Sequence, residues 1–216
     1  MEPAPQNSNS AATETVKQDA RREILDLVKL AVMFLIIFWL VKSFVVEGYE
    51  VQGDSMSPTL NDRDRILVFK LPHELSRLRL FRAVTPFREN DIIVFEGERD
   101  KRFVKRIIAF NPSQTNNTVD AKHLDSAEET SYVKVEFDNG IVRVNDWQID
   151  ESGYLPETEL KVRGADVRML GPGEYYVLGD HRNISKDSRS FSAVSDKQII
   201  GRAILRFWPL SQITLL

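Results

Sequence analysis

Hydrophobic and polar positions divide the chain into three stretches. Residues 1–22 hold Pro, Asn, Ser, Thr and Ala with almost no large apolar side chain, which predicts a disordered tail. Over residues 23–46 the pattern inverts: LAVMFLIIFWLV at residues 30–41 is apolar without a break, with Lys29 and Lys42 at its two ends. At 1.5 Å per residue, a helix over residues 25–46 extends about 33 Å, close to the hydrocarbon thickness of a bilayer, and the two lysines stand where they can snorkel. The run predicts an uncleaved transmembrane anchor. Its rivals are a buried helix of a soluble domain, which suits the short uninterrupted length, and a cleavable signal peptide, which suits the Arg21-Arg22 flank. Against cleavage, the run continues through Phe44, Val45 and Val46 into Glu47-Gly48, and no small-x-small site closes it. Lys17, Arg21, Arg22 and Lys29 precede the apolar run, whereas only Lys42 follows it before Arg63. This asymmetry predicts a cytoplasmic tail, one crossing of the cytoplasmic or inner cell membrane, and everything after residue 47 outside.

Beyond that point the period shortens to that of strands. Residues 65–69, 91–95, 102–110, 132–137, 141–144, 174–178 and 199–207 are rich in β-branched and aromatic residues, and several alternate. Asp138-Asn139-Gly140 lies between two alternating runs as a hairpin signal, and Asn145-Asp146 turns the next pair. No helical period competes, so residues 47–216 are expected to form one mainly β, extracytoplasmic domain. Residues 71–88 and 111–131 are polar or mixed connections, the second with the composition of an exposed, mobile loop.

Charge and composition narrow the chemistry. Across 216 residues, Lys plus Arg number 29 and Asp plus Glu 32, a net charge of −3 that argues against a dedicated nucleic-acid binder. The absence of cysteine excludes disulfides, thiolate metal sites and a cysteine nucleophile. His73, His123 and His181 are far apart, and His73-Glu74-Leu75-Ser76-Arg77 lacks the second histidine of a helical zinc pair, so no metal is expected. A serine/histidine hydrolase would pair Ser55 with His181, but Gly53-Asp54-Ser55-Met56-Ser57 has Ser where a nucleophile elbow needs its second Gly. Ser131-Tyr132-Val133-Lys134 matches the pattern of penicillin-binding enzymes, yet it falls in a predicted strand and no Lys-Thr-Gly follows.

A different pairing stands out: Gly53-Asp54-Ser55-Met56-Ser57-Pro58-Thr59-Leu60 directly after the anchor, and Lys105 inside the apolar strand Phe103-Val104-Lys105-Arg106-Ile107-Ile108. Serine needs a base, and a lysine serves when burial removes its charge; lowering a pKa of about 10.4 by roughly 3 units corresponds to about 4 kcal/mol. On a strand Lys105 shares its face with Phe103, Ile107 and Ala109, an apolar wall. Arg106 has similar neighbours in Val104 and Ile108, but a guanidinium keeps its proton.

In these segments the sequence resembles the bacterial type I signal peptidases, membrane-anchored serine/lysine endopeptidases that remove signal peptides from exported proteins. Ser55-Met56-x-Pro58-Thr59-Leu60 is similar to their nucleophile box, Asp64-Arg65-Ile66-Leu67-Val68-x-Lys70 to the next, and Phe103-Val104-Lys105-Arg106 to the lysine box. The segment from Gly179 through Asp180-His181-Arg182 to Arg189 resembles the last box, with Ile199-Ile200-Gly201-Arg202 and Phe207-Trp208-Pro209-Leu210 following in the family's order.

The resemblance implies Ser55 as nucleophile, neutral Lys105 as general base, and Ser185 as a hydroxyl that orients the lysine amine. Asp180, Asp187 and Arg189 would hold the site's shape. Gly53 stands where some members supply a serine hydroxyl to the oxyanion, so the Ser55 backbone N–H would carry that stabilisation here. The implied substrate is a preprotein with small residues one and three places before the cleaved bond. It would lie extended along the strand before Ser55, with Met56, Leu60, Phe103 and Val104 walling shallow pockets. No cofactor is implied, and the implied enzyme is a monomer whose partners are preproteins and the lipid bilayer. The rivals are a noncatalytic membrane-tethered β-domain and another serine/lysine protease of related fold, such as a self-cleaving repressor. Departures from the family's pattern are Ala109-Phe110-Asn111-Pro112-Ser113 after the lysine box, His181, Asn183 and Ile184 in the last box, and Phe191-Ser192 after it.

Overall fold

A computed structural model of the chain describes residues 8–40, 42, 45–70, 87–97, 101–112 and 132–216. It divides into two units, residues 1–43 and residues 44–216. The described residues of the first include the helix α1 (Ser8–Leu40), which begins well inside the stretch expected to be a disordered tail. No Pro or Gly interrupts residues 6–47, and Ala, Glu, Lys, Gln and Arg, all strong helix formers, recur between Ala11 and Arg22. From Ile24 to Trp39 its large apolar side chains are 49–66% exposed, all round the helix. Among the described residues no helix is long and apolar enough to cross a membrane.

The second unit is built from antiparallel sheets. Its strands are β1 (Val46–Glu50), β2 (Arg65–Phe69), β3 (Ile92–Glu96), β4 (Arg102–Asn111), β5 (Val133–Asp138), β6 (Ile141–Val144), β7 (Trp147–Gln148), β8 (Ala165–Leu170), β9 (Glu174–Leu178), β10 (Val194–Ser195), β11 (Ile199–Trp208) and β12 (Thr214–Leu215). The larger sheet runs β1-β2-β11-β3-β4-β9-β10 with β12 added to β11; the smaller runs β7-β6-β5-β8. The Asn139-Gly140 turn closes the β5–β6 hairpin with Asp138 facing Ile141, and both turn residues have positive φ (49° and 91°), the geometry of a two-residue type I′ turn. Asn145 and Asp146, at φ 46° and 70°, close β6 onto β7 in the same way.

Alternation along the strands sorts the core. Ile66, Val68, Ile92, Val94 and Ala203 face one side of the larger sheet, where Met56, Leu60 and Val51 cover them. Ile93, Phe95, Ile107, Val177 and Ile199 face the other, with Phe87, Tyr175 and Val194. A third cluster joins Ile108, Ala109, Tyr176 and Leu178 to Val135, Phe137, Val142 and Leu170 of the smaller sheet. A break in register between Ile107 and Ala109 turns Ala109 into this third cluster, so Ala109 does not share the Phe103–Ile107 face as strict alternation predicts.

Two further boundaries differ from the sequence reading. Val46, assigned to the anchor, opens β1 and pairs with Phe69, because a β-branched residue at the end of an apolar run serves a strand as well as a helix. After Ala109, β4 continues to Asn111, whose side-chain amide donates to the Leu170 carbonyl and whose own carbonyl accepts from Gly173 N–H; these two bonds hold the end of the strand. The expected mobile loop lies almost wholly outside the described residues.

Candidate active site

Ser55 sits on the loop between β1 and β2, and that loop is held from below and from both flanks. Met56 and Leu60 have no solvent exposure; they anchor the loop to the core and are joined by a Leu60 N–H to Met56 carbonyl bond of 2.8 Å. Gly53 takes φ +82°, a conformation that favours glycine, and its N–H donates to Asp62 Oδ1 at 2.7 Å. At the far end of the loop, buried Asp64 accepts from Asn61 N–H and from Arg206 of β11, which also donates to the Thr59 carbonyl.

Against this loop lies the segment that follows β9. His181 N–H donates to the Ser55 carbonyl at 3.1 Å, and Thr59 Oγ1 donates to Asp180 Oδ2. A Cβ at Gly179 would run into both Ser185 Oγ and the Ser55 carbonyl, so only glycine lets the two segments approach this closely.

Lys105 enters from β4, 2% exposed, and its Nζ makes a 2.6 Å hydrogen bond with Ser55 Oγ. Nζ also donates to the Val104 carbonyl at 2.8 Å and lies 5.9 Å from the centre of the Phe103 ring. Burial pulls its pKa down to about 8, against the opposing attraction of the Asp187 and Asp180 carboxylates. Arg106, its neighbour in sequence, points the other way and pairs through two nitrogens with Asp180, at 2.9 Å from Nε and 2.6 Å from Nη2. Strand alternation thus separates the lysine that meets the serine from the arginine that braces the loop.

The remaining expected residues are brought close, with different contacts. Asp187 pairs with Arg189 through both oxygens at 2.8 Å and accepts from Gly179 N–H at 3.1 Å, tying its turn to the end of β9. Ser185 Oγ is buried beside Gly179 without a hydrogen-bond partner; it does not bond the Lys105 amine, whose second partner is the Val104 carbonyl. The four expected pocket residues do not share one wall. Met56 and Leu60 are completely buried, Val104 packs on their side of the larger sheet, and Phe103 packs on the opposite side. Consecutive residues of a strand point to opposite faces, and this separates Phe103 from Val104.

The other residues that carry reactive groups in the sequence fall elsewhere. His181 faces Glu159 at 3.7 Å and is joined to Ser55 through its backbone alone. Lys134 pairs with Glu136 at 2.7 Å and Asp146 at 3.2 Å on the surface. His73, His123 and Ser131 lie outside the described residues. Among the described residues no three His, Asp or Glu side chains come together as a metal site.

Sequence reasoning missed the pair that underlies the last box. Arg182 and Glu151 are both buried and joined by two nitrogen–oxygen bonds; Arg182 Nε donates to the Gly179 carbonyl, and the Tyr154 hydroxyl donates to Glu151. Tyr154 also lies under Arg106, 4.1 Å from ring centre to guanidinium carbon, so the two arginine pairs form one connected network. Glu151 stands in a polar loop with no motif around it, so only the arginine could have drawn attention. Arg182→Met should cost about 3–5 kcal/mol in a urea melt, because it strands a buried carboxylate, whereas adding Glu151→Leu should restore at least half of that.

The sequence model of the family described as signal peptidase, peptidase S26, matches residues 24–208, and the chain belongs to that family. It is a hydrolase of the peptidase class. Signal peptidase IB of Staphylococcus aureus strain COL is 29% identical over 208 residues, covering 89% of this chain and 93% of its own. Signal peptidase I of Bacillus licheniformis is 27% identical over 211 residues, covering 93% and 97%. A crystal structure of a signal peptidase I from Enterococcus faecalis V583 aligns over 56% of this chain and 98% of its own, at 23% identity and a TM-score of 0.40.

Proposed function

We propose that this peptidase removes signal peptides from exported preproteins with Ser55 as nucleophile and neutral Lys105 as general base. The observation that carries the assignment is the 2.6 Å contact between Ser55 Oγ and a lysine amine with 2% of its residue exposed. As Oγ attacks the scissile carbonyl carbon, its proton passes to Nζ, and the developing oxyanion faces the Ser55 backbone N–H. The ammonium so formed protonates the departing amine, leaving an ester on Ser55. Lys105 then takes a proton from water, whose oxygen attacks the ester, and collapse returns the proton to Oγ. Asp180 with Arg106 and Asp187 with Arg189 act as braces, each carboxylate consumed by its arginine. Val104, with Met56 and Leu60 beneath it as a rigid floor, limits the acyl side to small residues.

The purified chain should cut a test preprotein after an Ala-x-Ala sequence. Enlarging the residue just before the bond to Leu should lower kcat/KM by at least about tenfold, the scale on which a shallow apolar pocket discriminates. Cleavage indifferent to that residue contradicts the exclusion mechanism.

The anchor belongs to the same proposal. The apolar face of α1 is exposed all round, and in sequence the run continues past Leu40 through Val41, Phe44 and Val45. The Lys17/Arg21/Arg22/Lys29 excess orients residues 1–22 toward the cytoplasm and the β domain outward. Protease added to intact spheroplasts should digest the β domain and spare an epitope placed in residues 1–10; the reverse pattern overturns the orientation.

A further inference from the structure

Two apolar surfaces flank the proposed dyad, and the mechanism uses one of them. The second lies on the Phe103 face of β4. There the rings of Phe95, Phe103 and Phe191 stand 5.9–6.1 Å apart, centre to centre, around a cavity of about 100 Å³. Lys186 and Gln198 also line it. Phe103 links this cavity to the chemistry, since its ring lies 5.9 Å from Lys105 Nζ. The cavity also depends on Gly97: a Cβ there would strike the Phe103 ring, so any larger residue would displace it.

A peptide crossing the dyad must place its acyl half on one side of Ser55 and its leaving half on the other. If the acyl half follows the strand before Ser55, over Val104, the leaving half passes the opposite flank, where Phe103 stands. We infer that the Phe95–Phe103–Phe191 cavity is a subsite for an apolar side chain on the leaving side of the cleaved bond, from the first or second residue of the mature protein. The volume holds about three waters' worth of space at some 30 Å³ each, enough for an aliphatic side chain of leucine size. A lysine or arginine there is opposed because its charge would give up water for three aromatic rings. The occupant is the substrate itself, because the Phe103 ring that walls the cavity lies 5.9 Å from the Lys105 amine. Alternation of side chains along an extended substrate makes one of the two positions, and only one, point into it. Phe191 is thereby a specificity-determining residue, since its ring closes the aromatic trio.

This inference rests on the Ser55/Lys105 reading, and its test separates the two. The full chain in detergent is given preproteins carrying Gly, Leu or Lys at the first or second residue after the cleaved bond. Wild type should favour Leu over Gly by about tenfold at one position only, with Lys the poorest there. Phe191→Ala should bring the Leu/Gly ratio close to one, and Gly97→Ala, which pushes the Phe103 ring aside, should lower the same ratio by a different route. Two variants guard against a folding defect, and a ratio of kcat/KM values is blind to loss of active enzyme. A flat series in wild type, or a ratio unchanged in both variants, overturns the subsite while leaving the dyad intact. A matching Gly and Leu series one and three places before the bond completes the test: a response to Phe191→Ala confined to those positions also overturns the subsite, by giving the cavity to the acyl half. Failure of wild type to cut any of the series refutes the catalytic reading itself.

Discussion

Ser55→Ala should lower preprotein cleavage by roughly 10⁴-fold or more, the scale on which loss of a nucleophile acts in a serine peptidase. The fold should scarcely notice. The loop that carries Ser55 is held by buried Met56 and Leu60, by the Gly53–Asp62 bond and by Arg206 on Asp64, none of which uses the hydroxyl. What is lost structurally is one hydrogen bond to Lys105, about 1 kcal/mol. Circular dichroism melts of the two proteins should therefore nearly coincide while their rates diverge. Cleavage near the wild-type rate would move the nucleophile elsewhere.

Replacement of Lys105 should be nearly as damaging, and the choice of replacement is informative. Arginine keeps the length and the charge but cannot accept a proton, so Lys105→Arg should be as inactive as Lys105→Met, at least about 10²-fold below wild type. A mechanism that used His181 predicts the opposite ranking, with His181→Ala dead and Lys105→Arg active. Stability should move in the other direction. The folded lysine titrates near 8 instead of 10.5, so between those values the unfolded chain binds more protons and stability rises with pH. At pH 7, below both values, the full cost of charging a buried amine is present, as much as about 3 kcal/mol for a shift of this size. Lys105→Met should accordingly melt higher than wild type at pH 7, and the gap should narrow as pH approaches 10. Lower stability of Lys105→Met at pH 7 would contradict the depressed pKa.

Several strands and the meeting of Ser55 with Lys105 were legible in sequence for definite reasons. Residues 65–69, 141–144 and 174–178 alternate or run apolar between turn signals, and they form β2, β6 and β9 with those boundaries. Asn139-Gly140 announced its hairpin because few residues tolerate two consecutive positive φ angles. By contrast β8 (ADVRML) packs Arg168 and Asp166 on its inner side, as an ion pair at 3.0 Å, so its polar residues hide the strand period. Within the site, chemistry preferred Lys105 to Arg106 as a base, because a guanidinium keeps its proton, and the resemblance to the signal peptidases paired that lysine with Ser55. What could not be read was direction. Arg106 and Lys105 have equivalent neighbours in sequence, and only the strand's two faces decide that one braces Asp180 while the other reaches Ser55. The same alternation divided the four expected pocket residues between two surfaces, and the Arg182–Glu151 pair joins residues too far apart in sequence for any local pattern to reveal.

The pH dependence of kcat/KM for the wild-type enzyme on a single preprotein tests the neutral-lysine dyad most directly. Free enzyme with Lys105 near 8 is half active at about that pH, and below it the neutral fraction, and with it kcat/KM, should fall tenfold per unit of acidification. A limb of unit slope with its midpoint near 8 is the predicted result. A profile that stays flat down to pH 7 and turns over near 6.5, where histidine titrates, would contradict it.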